Sequence, residues 1–239
     1  MTEAGHRGMT DLAELVTRAS ELAGDGRRLL GITGPPGAGK SRLAERIVGE
    51  LAGRAALIGM DGFHLAGAEL VRTGLADRKG APETFDRDGF VVLLTRLRAN
   101  AGTVYAPVFD REWEDSRAAA AAVPVTVPLV VVEGNYLLYW PEVRPLLDEV
   151  WYLDPDPVQR RQALTARHMA YGRSPEQARA WAARSDDRNA ELVAAGRQRA
   201  DRQLGWCPEL ADENPPISKE SQPISTRTDV ATPNNSVER

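Results

Sequence analysis

The sequence predicts an α/β domain of three layers, with helices on both sides of a mostly parallel sheet and a helical lid. Short apolar runs alternate with helical patterns along the chain, as successive βαβ units require. The run Leu29, Leu30, Ile32 leads into Gly34-Pro35-Pro36-Gly37-Ala38-Gly39-Lys40-Ser41, which fits the P-loop pattern G-x-x-x-x-G-K-[ST]. Two further apolar runs end on acids, Asp61 and Glu133. In open α/β sheets the carboxyl ends of the strands form the ligand-binding edge.

Residues 1–9 read as a tail, 10–210 as one domain and 211–239 as a disordered tail without apolar periodicity. Thr10 is placed to N-cap a helix whose Leu12, Leu15, Val16, Ala19 and Leu22 recur at helical spacing and which Gly24-Asp25-Gly26 ends. A strand over 28–33 feeds the glycine loop and a helix over 40–52. A second strand, 55–60, stops at Asp61-Gly62. The stretch 65–86 is glycine-rich and charged, and Asp86 caps a helix with Phe90, Val91, Leu94 and Leu97 inward. TVYAPVFDREWEDS (103–116) reads as a loop or short hairpin, leading through an alanine run to a strand at Leu129, Val130, Val131 and Val132. A strand over 150–153 stops at Asp154-Pro155. Helical pattern then runs over 157–204, broken at Gly172-Arg173-Ser174-Pro175. ADRQLGWCPEL (200–210) reads poorly as a closing strand, so the last sheet element is expected to be degraded or replaced.

At 239 residues the chain can bury a full core. A net charge of -4 argues against nucleic acid as the main partner, because phosphate backbones are held by clustered positive charge. The single cysteine, Cys207, allows no internal disulfide and offers no metal-ligand spacing. No apolar run reaches the ~18 residues of a membrane span, and residues 1–10 lack an apolar signal core. A cytoplasmic protein is expected, and a homodimer is compatible with the sequence.

The glycine loop implies binding of a nucleoside triphosphate such as ATP, with contacts along Gly34, Pro35, Pro36, Gly37, Ala38, Gly39, Lys40, Ser41 and Arg42. Its backbone N–H groups and the following helix N-terminus face one anion. Only three of the 30 basic residues are lysines, at 40, 79 and 219. A compact ammonium at position 40 reaches between β- and γ-phosphates where a rigid guanidinium fork does not fit. The guanine-selecting N-K-x-D and the dinucleotide fingerprint G-x-G-x-x-G are both absent from the sequence. Asp61 and Glu133 arrive at the same sheet edge as the loop. One can orient or deprotonate an acceptor hydroxyl while the other, with Ser41, holds Mg²⁺; an acid after a strand also serves as an ordinary turn or cap residue. Residues 158–202 carry ten arginines and no lysine. Arg160, Arg161 and Arg167 line one or two faces of a helix and Arg173 lies at the Gly172 break, so a flap can close arginines over the phosphates. Most of these arginines are read as a solvated helix surface.

GPPGAGKS, MDGFH (60–64), GLADRKGAPETFD (74–86), YAPVFDRE (105–112) and VVVEGNYLL (130–138), with the arginine-rich flap, together resemble the phosphoribulokinase, uridine kinase and type I pantothenate kinase superfamily over residues 28–204. The resemblance implies a P-loop kinase that moves the γ-phosphate of ATP to a hydroxyl of a sugar, nucleoside or pantothenate-like alcohol. It assigns Asp61 as catalytic base, Lys40 and Ser41 as phosphate and Mg²⁺ contacts, Glu133 as the acid near the metal, and Arg167 and Arg173 as lid arginines. His64, Lys79, Tyr105, Phe109 and Arg111 fall in segments that frame the acceptor. Tyr105 and Phe109 also fit core aromatics at period two, and His64 also fits a partly buried structural histidine. His168 stands where uridine kinases often carry an aspartate. After the lid the chain lacks the aromatic-rich region that encloses pantothenate, which argues against pantothenate itself. The alternative is a P-loop ATPase or nucleotide-dependent regulator without a small acceptor, disfavoured because MDGFH and RKGAPETFD would then have no pocket to build.

Overall fold

The computed structural model describes residues 11–170, 172, 174–181 and 186–205; the two expected tails lie outside them. Five strands form one parallel sheet: β1 (Arg28–Thr33), β2 (Ala55–Gly59), β5 (Leu129–Glu133), β6 (Glu149–Leu153) and β7 (Arg202–Leu204), in the order β2-β5-β1-β6-β7. β3 (Val104–Asp110) and β4 (Asp115–Val123) form a separate antiparallel hairpin. The helices are α1 (Leu12–Leu22), α2 (Lys40–Glu50), α3 (Gly67–Arg72), α4 (Arg87–Ala99), α5 (Pro157–Ala170), α6 (Pro175–Trp181) and α7 (Asp187–Ala194).

A parallel sheet covered on both faces needs strands that are apolar without alternation. β5 and β6 are buried at every position and β1 at five of six. On one face Leu30, Ile32, Val131 and Trp151 pack with Leu15 of α1 and Leu43 and Ile47 of α2. On the other, Leu29, Val130, Val132 and Tyr152 pack with Phe90 and Leu94 of α4 and Val193 of α7. Cutting any of these large aliphatic side chains to alanine would cost ~2–5 kcal/mol. The three layers expected from the sequence are therefore present.

From β1 the chain leaves leftward past β5 to reach β2; from β5 it leaves rightward past β1 to reach β6. The carboxyl ends of β1 and β5 thus flank the point where the winding reverses, which is where a crevice opens in such sheets. Ile32 is in register with Glu133, and Gly59 with Glu133 on the other side.

Several sequence boundaries need correction. Asp11, not Thr10, caps α1: its Oδ1 accepts the Ala13 N–H at 2.8 Å, the role a short carboxylate fills well. The end of α1 at Leu22, ahead of Gly24-Asp25-Gly26, is as expected, whereas α2 stops at Glu50 and not at 52, because Ala52 and Gly53 turn into positive φ. β2 stops at Gly59, and Met60–Phe63 form a 3₁₀ turn. The alanine run is not a connector: Ala121 and Ala122 pair with β3 inside β4, since strand pairing outweighs alanine's weak strand preference. The helical stretch ends before 202, and β7 closes the sheet with three residues paired to β6. That element is short rather than lost. Asp86 does cap α4, accepting the Gly89 N–H at 2.9 Å.

Candidate active site

The loop between β1 and α2 is shaped by backbone, as its composition requires. α2 opens on Gly39 in the left-handed region with no side-chain cap, so its first N–H groups have no side chain spent on them. Gly37 is also left-handed (φ 81°), and a Cβ there would come within 2.6 Å of Leu164 Cγ on α5. Only glycine lets α5 sit this close over the loop. Lys40 is buried and its Nζ donates to the Pro35 carbonyl at 3.0 Å, holding the ammonium inside the loop.

Glu133, 9% exposed, ends β5 beside this loop and accepts a hydrogen bond from the Ser41 side chain. Burial and the neighbouring Asp61 charge push its carboxyl up to about 7, while Lys40, Arg111 and Ser41 pull the other way. Asp61 lies in the 3₁₀ turn after β2, with Arg111 Nη2 3.9 Å from its Oδ2. The turn is pressed against the hairpin: a Cβ on Gly62 would lie 2.4 Å from the Pro107 carbonyl oxygen. Two acids, an ammonium and a hydroxyl therefore converge at the ends of β1, β2 and β5.

Mg²⁺ binds well to one or two carboxylates plus phosphate oxygens. Glu133 with Ser41 fits that requirement: a buried carboxylate and a hydroxyl bonded to each other beside the loop. Among the described residues no group of three or more His, Cys, Asp or Glu side chains could make an all-protein metal cage.

The segments expected to frame an acceptor do meet beside Asp61. His64 Nδ1 lies 2.8 Å from the Asp61 carbonyl, and its ring packs on Phe85 and Phe109, centroids 4.0 and 5.0 Å away. Burial lowers the His64 pKa, so the neutral ring carries its proton on Nδ1 and leaves Nε2 as an acceptor. Lys79 Nζ stands 5.1 Å from the Phe109 centroid and donates to the Glu114 carbonyl. Tyr105 differs from a core aromatic: it is 58% exposed. Arg173 lies outside the described residues, as does the side chain of Arg167. Within α5, Arg160 instead comes forward. It is buried, donates through Nη1 to the Pro36 carbonyl at 3.3 Å and through Nη2 to Asp187 at 2.6 Å.

Sequence reasoning did not single out Phe85, Tyr136, Asp187 or Asn189, and placed Arg160 among the flap arginines able to close over the phosphates without foreseeing its bond to the Pro36 carbonyl. Tyr136 and Asn189 both donate to the Gly80 carbonyl, at 2.6 and 3.2 Å. The available signals were weak: Tyr136 lies within the quoted VVVEGNYLL, and Arg160 is one arginine among ten.

No protein-family model matches the chain. An ATP-dependent kinase-like protein of Aspergillus versicolor is 35% identical over 135 residues, which are 51% of this chain and 77% of the relative. A pantothenate kinase of Limosilactobacillus reuteri is 31% identical over 140 residues, and the match spans 54% of this chain and 45% of the enzyme. Among solved structures, a candidate fructose transport system kinase from Silicibacter sp. TM1040 is 35% identical with a TM-score of 0.75, covering 82% of this chain and all of that one. Among the described residues no helix is long and apolar enough to cross a membrane. With the loop, the strand order and these likenesses in agreement, the chain belongs to the P-loop kinase superfamily of phosphoribulokinase, uridine kinase and pantothenate kinase.

Proposed function

We propose that the protein transfers the γ-phosphate of ATP to a hydroxyl of a small metabolite. The observation that carries this reading is the convergence of Asp61 and Glu133 beside Lys40, with Glu133 bonded to the Ser41 side chain. Lys40 and the loop N–H groups would hold the triphosphate, and Ser41 with Glu133 would hold the metal. Mg²⁺, when bound, neutralises charge on the β- and γ-phosphate oxygens. Asp61 accepts the proton of the acceptor hydroxyl as its oxygen attacks phosphorus, and Arg111 opposite Asp61 orients the acceptor. His64 fixes the Asp61 backbone, and the aromatic rings of Phe85 and Phe109 wall the acceptor from water.

The cluster of His64, Phe85, Phe109, Lys79 and Arg111 beside Asp61 is what favours this reading over an ATPase. An ATPase needs no such wall of aromatics behind its general base. The test is an ADP-release screen with fructose and other sugars, uridine and other nucleosides, and pantothenate and related alcohols, using Lys40→Ala as the blank. One class raising ADP release at least ~10-fold over the acceptor-free rate is the expected result. A constant rate over all classes would favour the ATPase.

A further inference from the structure

One short helix touches both halves of the site. α7 opens at Asp187, whose Oδ1 accepts from Arg160 at 2.6 Å, and the same guanidinium reaches the Pro36 carbonyl of the P-loop. Two residues further on, Asn189 Nδ2 donates to the Gly80 carbonyl. Arg160 and Asn189 are 7% and 6% exposed, so breaking either bond would leave buried polar groups unpaired. Beyond Gly80 the bonds continue. Its N–H donates to Thr84 Oγ1 at 3.0 Å, and the Thr84 carbonyl accepts the Leu65 N–H at 2.9 Å. His64 and Phe85 then form a β-bridge, and the His64 ring holds the Asp61 carbonyl. An unbroken path of hydrogen bonds and one helix thus joins a P-loop carbonyl to the turn that carries Asp61.

We propose that α7 is a strut that transmits P-loop occupancy to the acceptor loop 78–86, with Asp187 and Asn189 as positioning residues. The inference rests on the reading of the P-loop as a nucleotide site. A loop that tightens on a triphosphate moves the Pro36 peptide, and the buried guanidinium follows because its other nitrogen is fixed to Asp187. Asp187 and Asn189 share one helix anchored in the core by Val193, so a shift at the first is a shift at the second. Nucleotide binding then sets the acceptor loop and the Asp61 turn before an acceptor arrives. Tyr136, the second donor to Gly80, follows β5 and is not on the strut, so it serves as the internal control.

Amide hydrogen exchange on the full chain, with and without the magnesium complex of a non-hydrolysable ATP analogue, tests this without any acceptor. In the unsubstituted protein the analogue should slow exchange in 34–41 and, by ~10-fold, in 78–86. Asn189→Ala and the shape-conserving Asn189→Asp should keep the protection of 34–41 and lose that of 78–86. Tyr136→Phe should loosen 78–86 in both states and keep the nucleotide-dependent difference. A loop 78–86 indifferent to the analogue in the unsubstituted protein, or equally protected in both Asn189 variants, would overturn the strut. Absence of protection at 34–41 itself would instead overturn the nucleotide reading, and the strut with it.

Discussion

The proposed nucleotide half and the proposed acceptor half of the site are made of different material. The first is eight consecutive residues and a helix N-terminus, in which glycine conformation and one lysine do the work. The second is assembled from His64, Lys79, Phe85, Phe109 and Arg111, which come from three separate segments and meet only after the hairpin has packed on the Asp61 turn. Backbone binding of phosphate is nearly independent of what the phosphate is attached to, whereas recognition of an acceptor depends on which side chains surround it. The triphosphate is therefore expected to be common to the superfamily and the acceptor particular to this chain.

The comparison breaks most sharply at Lys40. Lys40→Ala should lower turnover by ~10³-fold or more and weaken ATP binding, because the buried loop would lose its one ammonium. Isothermal titration with ATP alongside steady-state rates checks this, and intact turnover would remove the P-loop from the mechanism. Asp61→Asn should lower kcat by ~10²–10⁴-fold and leave the ATP Kd unchanged, as loss of a general base does. An Asp61→Asn enzyme with full kcat would make that residue a turn residue only. Arg111→Ala sharpens the division: it should raise the acceptor KM by about 10-fold with little change in ATP affinity, because its guanidinium faces Asp61 across the acceptor side. Equal effects on both substrates would show that the halves are not separable there.

The smallest effect concerns stability. Burial and Asp61 raise the Glu133 carboxyl from its ordinary 4.5 to about 7 in the folded chain. Between those values the folded protein binds a proton that the unfolded chain does not, so stability at this site is highest below 4.5 and falls as pH rises through 7. Glu133→Gln should therefore raise Tm in the absence of magnesium at pH 8 by ~3 °C, and by less at pH 5, while impairing catalysis. Thermal melts at both pH values decide it; a lower Tm at pH 8 would show that Glu133 is stabilised as an anion.

The same division explains what was legible in the sequence. β1, the loop and α2 could be read because strand, glycines and helix lie next to one another, and the acids at 61 and 133 because each ends an apolar run. β4 was hidden because five alanines carry no strand signal and its partner β3 supplies the pairing. β7 was hidden because three residues are too few for a pattern. Arg160 could not be told from nine other arginines until α5 was laid over Gly37, and Asn189 gained a role only when α7 met Gly80. What local sequence cannot carry is the choice among chemically equal side chains made by long-range packing.

The central claim is that the γ-phosphate goes to a small hydroxyl compound and not to water. The direct measurement is the ratio of phosphorylated product, identified by mass spectrometry, to ADP formed at fixed ATP and Mg²⁺, with and without a pool of sugars, nucleosides and hydroxyl-bearing vitamins. A ratio near one with the pool, and slow ADP formation without it, is the predicted result. Rapid ADP formation that ignores the pool, matched by inorganic phosphate and no phosphorylated metabolite, would contradict it.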